Sequence, residues 1–170
     1  MPDGASLRYR GLLYRALNPV WARDPYSGEG ARRHGGRFNA QGVPALYTSL
    51  SIMTAVREAH QVGTLQPTTL VSYEADIEPV FDATDPAGLA GYGLTPSALA
   101  ADDWRIAMRD KGIAPTQTLA ARLIGDGFAG VLVRSFARGA AVSDLNLVLW
   151  RWGDTRPARL VLNDTEGRLR

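Results

Sequence analysis

The sequence predicts a single α+β domain, on three observations. Its 170 residues, 45% of them hydrophobic, suit one core. Candidate strands and helices are intermixed without the regular βαβ rhythm of a doubly wound sheet. A long stretch rich in Gly, Pro, Asn and Arg, residues 18–45, interrupts them and shows no apolar period. A loop that long inside a compact domain is commonly functional. The expected domain spans 1–170, with a core at about 12–152 and a C-terminal strand and polar tail at 153–170.

The elements follow in order. Leu12-Leu13-Tyr14-Arg15-Ala16 is a short apolar run that reads as a buried strand. After the loop, residues 45–48 read as a second strand. Ser49 or Ser51 then caps a helix running to about Gln61, with Gly63 ending it. Residues 70–77 alternate as a half-buried strand: Leu70, Ser72, Glu74 and Asp76 against Val71, Tyr73, Ala75 and Ile77. Thr95-Pro96 is a helix start, a cap followed by proline, and helical character runs intermittently over 97–111. Pro115-Thr116 opens another helix to Ile124, closed by Gly125 and Gly127. Gly130-Val131-Leu132-Val133 has the apolar run of a buried strand, and 145–152 and 159–162 are two more strands.

Composition excludes several classes. There is no cysteine, hence no disulfide framework, thiolate metal site or cysteine nucleophile. No apolar run is long enough for a membrane helix. Met1-Pro2-Asp3-Gly4 leads into polar, Arg-bearing residues rather than the apolar stretch of a secretory signal, so a cytoplasmic protein is expected. His34 and His60 lack metal-ligand spacing, and no metal is expected. Every basic residue except Lys111 is arginine, yet the net charge is only +2. Codon bias accounts for that preference, and anion recognition by forked guanidinium groups is the functional counterpart. So small a net charge argues against nonspecific nucleic-acid binding as the main activity.

The informative segment is Gly28-Glu29-Gly30-Ala31-Arg32-Arg33-His34-Gly35-Gly36-Arg37-Phe38-Asn39. It is not a dinucleotide fingerprint, because Arg33 stands at the third glycine position, and no Gly-Lys-Ser/Thr ending makes it a phosphate loop. A glycine-rich surface turn is the plain alternative. The density of glycine and arginine points instead to a ligand, since glycine lets backbone approach closely and arginine supplies paired donors.

Taken together, Tyr14-Arg15, Ser27-Gly28-Glu29-Gly30-Ala31-Arg32, Gly35-Gly36-Arg37-Phe38-Asn39, Leu46-Tyr47 and Glu58 resemble the N-terminal half of a RES domain. That family is named for an arginine, a glutamate and a serine. By motif position these are Arg15, Glu58 and Ser135, the last in Val133-Arg134-Ser135. Phe38 stands where the family most often has tryptophan, and the family's later Asn-Pro segment is met here only by Asn146-Leu147.

The resemblance implies a fold similar to ADP-ribosyltransferases, with a split mixed sheet around an NAD⁺ cleft and no metal. It implies a toxin that consumes NAD⁺, arrests growth, and is paired with an antitoxin carrying an Xre-like helix-turn-helix domain. That partner would block the active-site cleft and contact DNA, so the toxin would meet DNA only through it; no membrane is involved. The acceptor of ADP-ribose would be a protein, by family precedent an enzyme of phosphoribosyl pyrophosphate synthesis, or else water or phosphate. A noncatalytic, arginine-rich nucleic-acid-binding module is the competing class.

Cleavage of a nicotinamide–ribose bond passes through an oxocarbenium-like state. Its leaving group is already cationic and needs no general acid. The protein must hold the pyrophosphate, orient the ribose and stabilise positive charge on the sugar. Arg15, Gly36 and Arg37 suit the first task, Glu58 the other two, and Tyr47 suits stacking on nicotinamide. Each has a structural alternative. Arg15 could form a buried ion pair, with Glu58 itself as a candidate. Glu58 could be solvated on its helix, Tyr47 could be core, and Ser135 could be a strand-end hydroxyl. Arg32 and Arg33 read as solvated or antitoxin-facing, and Trp104, Trp150 and Trp152 as core.

Overall fold

The computed structural model describes residues 5–60 and 64–169. Its frame is a six-stranded mixed sheet. The first strand, β1 (Ser6–Leu17), pairs antiparallel along its length with β3 (Thr69–Asp82), from Ser6 opposite Phe81 to Leu17 opposite Thr69. β2 (Leu46–Ser49) pairs with β5 (Leu145–Leu149), β5 with β4 (Gly130–Arg134), and β4 runs parallel to the end of β3. β6 (Ala158–Leu162) lines the other half of β3. The sheet therefore closes on itself, and its closing contact is a single pair, Tyr14 opposite Ser49.

Burial explains the sequence patterns. β4 is apolar without alternation because both its faces are covered. Leu132, with Leu147 and Leu149 of β5, faces inward with Leu13, Leu46, Tyr73, Ile77 and Leu160. Val131 and Val133, with Val148 and Phe81, face outward onto a helical layer. That layer comprises α3 (Pro86–Gly91), α4 (Pro96–Ala100) and α6 (Pro115–Gly125), which supply Leu89, Leu99, Leu119 and Leu123 to this second core, with α5 (Trp104–Lys111) packed against α6.

Helix ends follow their local chemistry. Ser51 caps α2 (Ile52–Ala59) by accepting from the Thr54 N–H at 3.1 Å. Thr95 caps α4 ahead of Pro96. The expected ends of the Ser51 helix at Gln61 and Gly63 lie outside the described residues.

Three expectations change. The 18–45 segment is not all loop: it holds a 3-10 turn at Pro19–Trp21 and the short helix α1 (Glu29–His34). Six residues with no apolar stripe carry no helical period, and none of α1 is buried. The strand expected over 145–152 ends at Leu149, and Trp150 and Trp152 turn away to donate their indole N–H groups to Phe38 O and Tyr26 O. β1 and β3 both extend beyond the expected strands.

Candidate active site

A cleft of about 540 Å³ opens beside the β1–β2 closure, within the range of small-molecule sites. Arg15, Gly36, Arg37, Tyr47 and Glu58 all line it, and Ser135 reaches it through Glu58.

Glu58 sits in the last turn of α2, one turn from buried Thr54 and Ala55, so the helix presents its carboxylate to the cleft. Two donors meet at one of its oxygens. Ser135 Oγ–H donates to Glu58 Oε1, and Asn146 Nδ2–H donates to the same atom at 2.6 Å. Asn146 Oδ1 in turn accepts from Ser49 Oγ at 2.7 Å. The four side chains come from β2, α2, β5 and the residue following β4.

Asp144 holds this arrangement together from below. Its carboxylate accepts from Ala141 N, from Thr54 Oγ1 at 2.9 Å and from Arg57 Nη1 at 2.9 Å, while its carbonyl accepts from Ser135 N at 2.8 Å. One residue thus ties α2 to the loop that carries Ser135. The Ala141 N–H, the Thr54 hydroxyl and Arg57 hold the Asp144 carboxyl below the usual carboxylate range.

Arg15, on β1, donates Nη1–H to Pro25 O at 2.9 Å, and the buried Tyr73 hydroxyl donates to the same carbonyl. Arg15, Ala16, Gly35 and Tyr47 also border a second hollow of about 700 Å³, beside the 3-10 turn and α1. Arg32 and Arg33 both pair with Glu29 on the exposed face of α1, and their hydrogen bonds, helped by their charge, take the Glu29 carboxyl down to about 2.

The Gly35–Asn39 turn is rigidly framed. Gln117, fully buried on α6, donates Nε2–H to Gly36 O at 2.9 Å and Asn39 O at 3.2 Å, and its Oε1 accepts from Ala114 N. The Tyr47 hydroxyl donates to Asn39 Oδ1 at 2.6 Å and accepts from Phe38 N at 3.0 Å. Burial of this hydroxyl pushes the phenol up, while a third of the residue stays exposed on the cleft. Tyr47 therefore offers its ring, and its hydroxyl belongs to the frame. Gly36 is required by the same contacts: a Cβ there would collide with the Tyr47 hydroxyl and lie 2.6 Å from Asn39 Oδ1.

Arg37 projects from this turn. Its Nη1 donates to Leu99 O at 2.8 Å and Ala101 O at 2.7 Å, Nη2 lies 3.7 Å from Asp102, and the guanidinium carbon sits 4.7 Å from the Phe136 ring centroid. Burial lowers its pKa, an effect offset in part by Asp102 and Glu58. Trp104 is not simply a core residue. It forms the cleft wall with Asp102 and Arg105, and the Arg105 guanidinium lies 4.3 Å from its ring centroid. Ser49, Trp104 and Phe136 carry no signal in the sequence as site residues; Asn146 carries one, at the place of the family's asparagine.

The RES domain model matches residues 12–170. The chain belongs to the RES domain family. Its fold, a mixed α+β domain built on a mixed sheet, is similar to that of the MbcT toxin in the crystal structure of the M. tuberculosis MbcT–MbcA toxin–antitoxin complex. That match has a TM-score of 0.64 and 27% identity, and covers 94% of this chain and 85% of the other. No curated protein matches this RES domain chain by sequence. Among the described residues no helix is long and apolar enough to cross a membrane, and no group of three or more His, Asp or Glu is placed to hold a metal ion.

Proposed function

We propose that this RES domain chain is the toxin of a toxin–antitoxin pair, and that it cleaves the nicotinamide–ribose bond of NAD⁺ and passes ADP-ribose to a protein acceptor, arresting growth. The observation that carries this reading is the Glu58 carboxylate, held by Ser135 and Asn146 on the wall of a cleft that also presents Arg15, Arg37 and the Tyr47 ring. Membership of the family and likeness to a toxin–antitoxin structure support it.

The C1′–N bond breaks with its electron pair leaving on nicotinamide, so the ring departs neutral and positive charge develops on the ribose. Glu58 is the anion placed to stabilise that charge and to accept from ribose hydroxyls. Arg15 and Arg37 bind the pyrophosphate, with Arg37 already oriented by Leu99 O and Ala101 O. Tyr47 stacks on the departing ring, and Gly36 lets the turn approach the ligand. An acceptor oxygen or nitrogen attacks C1′ and releases its proton. The antitoxin, with an Xre-like helix-turn-helix domain, occludes the cleft and alone contacts DNA, and both act in the cytoplasm.

Purified chain with NAD⁺ labelled in its adenylate half tests this. Free nicotinamide together with a labelled lysate protein, both lost in Glu58→Ala, is the expected result. Nicotinamide without labelled protein replaces the protein acceptor by water, or by phosphate if release requires it. No nicotinamide from folded, antitoxin-free chain overturns the reading.

A further inference from the structure

We propose that Asn146 is a positioning residue for catalysis: its side-chain amide orients the Glu58 carboxylate without itself bringing a positive charge to it. The proposal rests on the NAD⁺-cleaving reading of the cleft and adds to it a residue outside the Arg–Glu–Ser set.

The geometry begins with strand register. Asn146 lies on β5 opposite Ser49 of β2 on one side and Val133 of β4 on the other. Its side chain therefore rises from the middle of the sheet toward α2, which carries Glu58. Two partners fix which way the amide turns. The Glu58 carboxylate only accepts, so the nitrogen end must face it; the Ser49 hydroxyl donates to the oxygen end at 2.7 Å. No hydroxyl or hydrocarbon of similar size fulfils both contacts. Asparagine is thus required here by chemistry rather than by volume.

The charge of the donor matters equally. A lysine or arginine reaching Glu58 Oε1 would also hold the carboxylate, but would oppose the field that stabilises a cationic ribose. A neutral amide and a neutral hydroxyl, Asn146 and Ser135, fix the oxygen without that penalty. Of the cleft's arginines, Arg15 and Arg37 donate to backbone carbonyls at Pro25, Leu99 and Ala101, and Arg105 lies over the Trp104 ring.

The test compares wild type with Asn146→Leu and Asn146→Asp in steady-state nicotinamide release. A positioning role predicts that both variants lose roughly tenfold or more in kcat at neutral pH, with KM for NAD⁺ within about threefold of wild type. Asn146→Asp keeps the volume and the Ser49 contact, so it decides the question should Asn146→Leu fail to fold. It also gives a signature that mere packing would not. The introduced carboxyl can donate to Glu58 only when protonated, so the activity of Asn146→Asp relative to wild type should rise as pH falls from about 8 to 6. Kcat within threefold of wild type in a folded variant, a loss confined to KM, or an Asn146→Asp deficit that does not change with pH would overturn the assignment. Absence of nicotinamide release from wild type would instead be a failure of the NAD⁺ reading.

Discussion

Ser135 and Glu58 stand 77 residues apart in sequence, and the Ser135 hydroxyl donates directly to Glu58 Oε1. The same hydroxyl accepts from Ala137 N at 3.3 Å, so its proton is directed away from its own loop and onto the carboxylate. This geometry predicts that any effect of Ser135 on the reaction passes through Glu58. Ser135→Ala should therefore lower the rate of nicotinamide release roughly ten- to a hundredfold, the worth of one hydrogen bond to a charged group. Steady-state kinetics on folded variant would check this; a loss as deep as that of Glu58→Ala would give Ser135 a direct role.

Arg15→Ala and Glu58→Ala are each expected to abolish growth arrest in a bacterial host while leaving the thermal transition cooperative. Colony formation under induced expression, with circular dichroism of the purified variants, provides the check. Toxicity surviving both changes would remove these residues from the active site.

How much of this was legible beforehand varies by residue. Arg15, Gly36, Arg37, Tyr47 and Glu58 were visible because they lie within or beside a dense local motif, and the cleft gathers all five. Ser49 is not, and Asn146 is marked only by its place in the family's motif, because what joins the two is antiparallel register between β2 and β5, which no local spacing encodes. The first half of β1 does alternate, Leu7 and Tyr9 packing on the core while Arg8 and Arg10 face out, but only two apolar residues carry the signal; Arg8 forms a two-point pair with Asp76 of β3. Short α3 shows no helical period because Pro86–Gly91 is built of one proline, two alanines, two glycines and one leucine, and its start depends on an Asp85 cap.

The frame around the Gly35–Asn39 turn makes a further prediction. Tyr47→Phe leaves Phe38 N and Asn39 Oδ1 without their partner and should cost about 1–3 kcal/mol in denaturant unfolding. Gly36→Ala should cost more, because the added methyl meets the Tyr47 hydroxyl. The two changes are not additive: Tyr47→Phe removes the atom that Gly36→Ala strikes, so the double variant should be more stable than the sum of the singles implies. Strict additivity would mean the turn relaxes away from Tyr47.

Asp144 links stability to acidity. Its carboxyl is lowered in the folded chain, so its stabilising effect is present above the unfolded carboxylate value and disappears as pH falls through the folded one. Asp144→Asn should therefore be less stable than wild type at neutral pH, with the gap narrowing as the medium is acidified below about pH 4. Thermal midpoints across that range would show it. A gap that is constant with pH would mean the Asp144 contacts to Thr54, Ala141 and Arg57 do not depend on its charge.

The closing of the sheet at Tyr14 and Ser49 has a consequence for the life of the chain. The groups around Glu58 are drawn from Arg15 near one end to Asn146 near the other, and they meet only after β5 has inserted between β2 and β4. The early residues of the cleft, from Arg15 to Glu58, thus depend on Ser135 and Asn146 far along the chain. A chain cut before β5 should therefore lack the Glu58 cluster altogether, however much of the glycine- and arginine-rich turn it retains.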